Sequence, residues 1–459
     1  MPSDRHDHER RGRPAGPLTE PPATGYRVRF RGRTRTGRPR IRAVLPQVLA
    51  PALAGLLLLV VLLPVYRAGR AQAQGWLVLA DSLTLVCACL ITLYASAVAV
   101  LTLHALAVAG DPVPVAPEPG IRVAFLTTYV PGRRPLSAVR AVLEGAVRMR
   151  HRGPLDVWLL DEGDDPEARM LCAELGVHHF TRLGVPEWNR EEGPHRAGSE
   201  HGNLNAWLAK HGDAYDLLAS ADTAHVPRPE FLERTTGYFR DPDTAFAVGP
   251  RLHREHGLRA LVQRAGNRYG APVLAGAGSV VRVAALRGAG GFRNSPTADL
   301  ATGLEMHRRR NPLTGRHWRS VRTPDVPAVP DATAGGDPSG RRPRPAWGPL
   351  SRQYGTTLFR VPPGRLTGYT LLLAHRPLAA LARPLGALGC LSAVLHPQIL
   401  PGATAVLLLA LAPAAVRSLA PPRERGTRGA AGYRPRPARP AQEAERALAS
   451  AGGTPAAGS

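Results

Sequence analysis

Three aspartates stand where a carboxylate can do chemistry. Asp222 closes the apolar run 217–221, within Tyr215-Asp-Leu-Leu-Ala-Ser-Ala-Asp-Thr-Ala-His-Val-Pro227. Such a run reads as a buried strand that delivers one acid to its carboxyl end. Asp161 closes a second run in Leu159-Leu-Asp-Glu-Gly163. Asp299 opens the helical pattern 300–309 in Thr297-Ala-Asp-Leu-Ala-Thr-Gly-Leu304. In open α/β sheets ligands sit at carboxyl strand ends, so Asp222 is placed to meet a metal or a diphosphate. Each acid also suits a plainer role. Asp161 and Asp222 serve equally as solvated loop acids, and Asp299 as an acid stabilised by a helix dipole.

The elements that must hold these acids alternate. Residues 123–127 read as a strand, 136–149 as a helix, 156–160 as a strand and 166–175 as a helix. They continue with a short strand at 177–180, a helix at 204–209 and the strand 217–221, which Pro227-Arg228-Pro229 is expected to stop before a helix opens. This rhythm predicts an α/β domain over 121–360 with a mainly parallel sheet of nucleotide-binding topology. Asn203 and Asn205, in His201-Gly-Asn-Leu-Asn-Ala-Trp-Leu208, are either helix caps or site residues.

Flanking segments have another texture. Residues 1–43 are rich in Arg, Pro and Gly and read as a disordered basic tail, with twelve arginines between Arg5 and Arg42. Residues 44–66 carry no charge and reach ~34 Å as a helix, enough to cross a bilayer. A second span is expected over 76–108 and a proline-rich linker over 110–120. Beyond 365 come an interfacial helix and a hairpin of two short spans, then a second basic tail from 419 to 459. The arginine load puts the cytoplasm on the side of both tails and of the central domain, in the plasma membrane.

The 459 residues carry a net charge of +24, and Lys210 is the only lysine. The charge lies largely in the tails and aromatic residues make up 5% of the chain. Stacking platforms for nucleic acid need more rings on a basic face, so no nucleic-acid partner is expected. Cys87, Cys89, Cys172 and Cys390 show no metal-ligand spacing and read as small buried hydrophobes.

Taken in order, these segments resemble the membrane-embedded family-2 glycosyltransferases of the cellulose-synthase-like branch. The match runs from about Val44 to Trp347. It also takes in Ala275-Gly-Ala-Gly-Ser-Val-Val-Arg282 and Gly290-Gly-Phe292. The resemblance implies a GT-A-type nucleotide-sugar-binding domain flanked by transmembrane helices, Mg²⁺ or Mn²⁺ as cofactor, and inverting transfer from a nucleotide-sugar donor, UDP-linked, to a glycan acceptor. It also implies polysaccharide-export partners beside the bilayer. By the same resemblance Asp161 and Asp222 contact the nucleotide, Asp222 and the neighbouring His225 hold the metal, and Asp299 is the catalytic base. Gly276, Gly278 and Trp347 face the acceptor, and Arg282 is either an anion contact or a structural partner.

The chain departs from the family pattern at four places. Asp-x-Asp reads Asp222-Thr223-Ala224, and the Lys before Gly-Asn-Leu-Asn has its counterpart in Glu200. Thr-Glu-Asp reads Thr297-Ala298-Asp299, and Gln-x-x-Arg-Trp survives only as the Trp of Pro343-Arg-Pro-Ala-Trp347. These losses open an alternative: a catalytically inactive glycosyltransferase fold that binds a nucleotide sugar or a partner in a polysaccharide assembly.

Overall fold

The computed structural model describes residues 16–22, 25–32, 90, 97, 100–250, 258–274, 278–295, 297–330 and 360–369. A separate unit, Ser418–Ser459, lies wholly outside them. The spans expected at 44–66 and beyond 385 also lie outside, as do most of 76–99, Gly276, Trp347 and Cys87, Cys89 and Cys390. Among the described residues no helix is long and apolar enough to cross a membrane.

Two short strands come first, β1 (Phe30–Gly32) and β2 (Gly110–Pro112). The domain then runs β3 (Val123–Tyr129), α1 (Leu136–Val147), β4 (Leu155–Asp161), α2 (Pro166–Leu175), β5 (His178–Phe180), α3 (Glu200–His211) and β6 (Leu217–Ser220). After it come β7 (His225–Pro227), α4 (Phe231–Thr235), β8 (Thr244–Val248), α5 (Leu258–Tyr269), β9 (Ser279–Arg282), α6 (Val283–Gly288) and α7 (Ala298–Arg308). The chain closes with β10 (Arg319–Arg322) and β11 (Ala328–Pro330).

Seven strands form one sheet in the order β10-β8-β9-β6-β3-β4-β5. All run parallel except β9, which lies antiparallel between β6 and β8. The expected mainly parallel α/β sheet is present. Both faces are covered, which is why its strands read as unbroken apolar runs. Val123 and Phe125 of β3 point into a core with α1, α2 and α4, while Ala124 and Leu126 point into the opposite core with α3, α6 and α7.

Local signals explain the elements that the sequence exposed. Asp165 caps α2 by accepting from the Glu167 N–H at 2.9 Å, Pro166 fills the first turn, and Gly176 ends the helix with φ 64°. The helix expected at 204–209 starts earlier, at Glu200, because Ser199 caps it through the Gly202 N–H. Asn203 and Asn205 therefore cap nothing. Pro227-Arg228-Pro229 ends β7 rather than β6; the turn Asp222–Ala224 separates those two strands.

Part of the expected linker is structured. β1 pairs antiparallel with β2, and Val115 and Ala116 are buried. Within the stretch read as a tail, residues 25–32 lie along the domain. Arg27 reaches Asp241 and Asp243, and the Val28 N–H donates to Asp241 at 3.2 Å. Alternating Arg and apolar residues gave no periodicity strong enough to reveal this docking, which depends on carboxylates about two hundred positions away.

Candidate active site

The carboxyl edge of the sheet gathers the predicted acids. Asp161 is the last residue of β4, and Asp222 lies two residues beyond the end of β6. Both strands pair with β3, one on each side. Two strand spacings put the acids roughly 10 Å apart across the edge. Gly278 enters the same edge, donating its N–H to the Ser220 carbonyl at 2.7 Å. Its φ of +78° and an approach in which a Cβ would meet Pro327 at 2.8 Å both call for glycine.

Asp299 lies in the first turn of α7. Phe292 and Arg293 tie this helix to α3: the Phe292 ring lies 6.3 Å from that of His201, in the first turn of α3, the Phe292 N–H donates to Asn205, and the Arg293 N–H donates to Thr302 of α7. Burial pushes the His201 imidazole below its ordinary value, and Asp299 partly offsets that. Since α3 is the crossover helix between β5 and β6, its N-terminus stands at the carboxyl edge. The three acids therefore share one edge of one sheet.

Asp161 and Asp222 differ in what they can meet. Asp161 is fully buried, and its carboxylate accepts from the Gly163 N–H at 2.9 Å and the Asp165 N–H at 2.6 Å. His179 Nε2 approaches it at 3.2 Å. Asp161 thus holds the loop after β4. Asp222 is exposed; one oxygen accepts from the Ala224 N–H at 3.1 Å, and the other has no hydrogen bond among the described residues. An exposed carboxylate oxygen at a strand end is the donor a hard cation takes.

Asp161, Asp164 and His179 also have ligand atoms within 4.8 Å of one another. Their donors are largely committed, Asp161 to two N–H groups and Asp164 to Arg169. Asp222 and His225 form no such cluster of three among the described residues. A divalent ion at Asp222 would draw its remaining ligands from a diphosphate and water.

Residues beyond the acids shape the edge. Asn205 donates to the Pro194 and Phe292 carbonyls and accepts from the Phe292 N–H, each at 2.8 Å. A Cβ on Gly291 would meet its Oδ1 at 2.5 Å, so the Gly290-Gly291-Phe292 turn is locked onto α3. Asn203 donates weakly to the Leu160 carbonyl at 3.4 Å, and its buried Oδ1 has no partner among the described residues. Arg282 is structural: it donates to the carbonyls of Thr244 and Phe239 and lies over the Phe239 ring.

Arg182 is the organising residue that the sequence did not reveal. It is 1% exposed, pairs with Glu162 and donates to the carbonyls of Trp188, Arg196 and Ser199. It ties the loop after β4 to the segment that leads into α3. No periodicity marks a buried arginine; the signal lay only in Glu162, next to Asp161.

No protein-family model matches the chain. It is 30% identical over 207 residues to the UDP-forming cellulose synthase catalytic subunit of Xanthomonas axonopodis pv. citri, a match over 40% of this chain and 26% of that protein. The chain thus spans about a quarter of that relative's length. Among solved structures, a Pyrobaculum calidifontis mannosyltransferase in complex with GDP-Man and Mn²⁺ shares 18% identity at a TM-score of 0.49, covering 73% of this chain and 99% of that one. The Mycobacterium tuberculosis glucosyl-3-phosphoglycerate synthase with Mn²⁺ and UDP reaches 13% identity and a TM-score of 0.36, over 53% of this chain and 80% of that one. Neither structural likeness is close enough to carry an argument about this chain.

Proposed function

We propose that this chain, a relative of the cellulose-synthase-like family-2 glycosyltransferases, transfers a sugar from a nucleotide-sugar donor to a hydroxyl acceptor with inversion. The supporting observation is the placement of Asp161 and Asp222 at the carboxyl ends of β4 and β6, with Asp299 in the first turn of α7, a helix that Phe292 and Arg293 tie to α3. Sequence similarity to a UDP-forming synthase supports UDP as the nucleotide. A membrane setting, with the domain and tails in the cytoplasm and export components beside it, rests on the apolar segments 44–66 and 76–108 and on the arginine distribution.

In this reading Asp299 takes the proton from the acceptor hydroxyl. The freed oxygen attacks the anomeric carbon from the face opposite the diphosphate. The bond from that carbon to the β-phosphate oxygen breaks, and its electrons leave with the nucleotide diphosphate. Asp222, with His225 next to it, would hold Mg²⁺ or Mn²⁺, and the ion would neutralise charge on the leaving group. Asp161 and the Glu162–Arg182 pair fix the loops that flank the donor. Asp299 lies in the first turn of α7, where the helix dipole favours negative charge.

The test is release of UDP from a UDP-sugar by the full chain in detergent with Mn²⁺. Wild type turns over, and Asp299→Asn falls by about a hundredfold or more. Equal background from both ends the transferase reading. A second reading, a nucleotide-sugar-binding module without turnover, is favoured by the Asp222-Thr223-Ala224 sequence, which offers one carboxylate where the family pattern has two. It predicts UDP binding with no UDP release.

A further inference from the structure

A cavity of about 580 Å³ opens at the opposite, amino edge of the sheet. Asp243 precedes β8 and Arg319 begins β10, and both line it. Six arginines surround it: Arg27, Arg268, Arg310, Arg316, Arg319 and Arg365. The three acids of the candidate active site belong to the other end of the strands, so this cavity is separate from that chemistry.

Among the described residues, too few carboxylates answer these arginines. Asp243 is shared among Arg27, Thr314 and Asn311. Asp241 is shared between Arg27 and, at 3.8 Å, Arg319. Arg365 donates to the His307 and His317 carbonyls, and Arg310 to the Gly315 carbonyl, and neither pairs with a carboxylate among the described residues. Arg268 and Arg316 are exposed and make no ion pair among the described residues. His317 also lines the cavity, and its buried Nδ1 has no hydrogen-bond partner among the described residues.

The surplus is felt inside the site. Burial and then the charges of Arg310 and Arg365 push His317 below its ordinary value. Burial and then Arg319 bring the Arg365 guanidinium down to about 10. A concave wall of one charge sign concentrates counter-ions. Guanidinium forks match the paired oxygens of a phosphate group.

We propose that this arginine-lined cavity binds a phosphate-bearing anion with a doubly ionised terminal group, a phosphomonoester or a pyrophosphate. The position of the cavity allows two sources. Its lining Tyr269 takes a 2.7 Å hydrogen bond with His104 of the helical stretch 100–108, and Pro362 and Arg365 lie in the stretch that leads toward residue 370. Both stretches adjoin segments of apolar sequence, so a lipid headgroup and a soluble phosphate compound reach the same arginines.

The experiment uses the full chain in detergent with EDTA, so that no divalent ion lets the other edge bind phosphate. Pyrophosphate is titrated calorimetrically. In parallel, the chain is floated with phosphatidylcholine vesicles with and without phosphatidic acid. Saturable pyrophosphate binding identifies a soluble ligand class. Flotation with phosphatidic acid alone identifies a headgroup site. In either case Arg268→Ala/Arg316→Ala weakens the interaction by about tenfold or more with unchanged melting temperature. Both side chains are exposed and outside any described ion pair, and the variant keeps all the arginines of the tails. Wild type that takes neither probe, or a double variant that binds as wild type does, overturns the proposal.

Discussion

Asp161 and Asp299 are both predicted site acids, yet they fail differently when removed. Asp161 is completely buried and receives two backbone N–H groups and the His179 ring. Asp161→Ala orphans these donors, at a cost of about 1–3 kcal/mol for each that stays buried. Its melting temperature should fall together with activity, and activity lost at unchanged melting temperature would show a direct ligand contact instead. Asp299→Asn keeps the side chain's shape at an α7 position that is only half-buried. It should lose turnover by about a hundredfold or more and keep its melting temperature. Strand-end acids were legible because an apolar run that stops at an acid has few other readings. That Asp161 faces inward was not, because the N–H groups that claim it come from a turn whose course the sequence does not state.

At the scale of elements, the edge depends on how the segment 186–199 is held between β5 and α3. Arg182 holds it through three carbonyls and the Glu162 carboxylate. Arg182→Ala leaves Glu162 without its cation, and losing one partner of a buried pair costs about 3–5 kcal/mol. Urea denaturation should show that loss, and limited proteolysis should open first within 186–199; cleavage elsewhere first would place the weak point wrongly. Arg182→Lys recovers charge without the planar fork and should rescue only part. Periodicity and capping made β3, α1, β4 and α2 readable to within two or three residues. Placing β9 antiparallel between β6 and β8 was out of reach, since pairing partners far apart in the chain decide it. The early start of α3 was hidden for another reason: Gly202, Asn203 and Asn205 are polar or small and nevertheless buried.

At the scale of the whole molecule, the predicted acids Asp161 and Asp222 stand at the carboxyl ends of the strands, while six arginines line the amino-edge cavity. Histidines report on the interior between them. His195, His201, His211, His307 and His317 are all pushed below the ordinary imidazole value, burial being the largest cause for each. Their neutral forms suit the folded state, whereas in the unfolded chain they take up protons as the pH falls through about 6.5. The unfolded state then binds more protons, so stability is full above that pH and declines below it. The melting temperature should drop between pH 7.5 and 5.5, and a flat profile would contradict these burial assignments. The buried Cys172 thiol, raised to about 11, behaves as the small hydrophobe its sequence context suggested. The central claim is that the carboxyl edge receives a nucleotide diphosphate through a cation held by Asp222. Calorimetric titration of UDP into the full chain, with and without Mn²⁺, tests it most directly. Binding that requires Mn²⁺, persists in Asp299→Asn and disappears in Asp222→Asn is the predicted result; no binding, or affinity indifferent to both Mn²⁺ and Asp222→Asn, would contradict it.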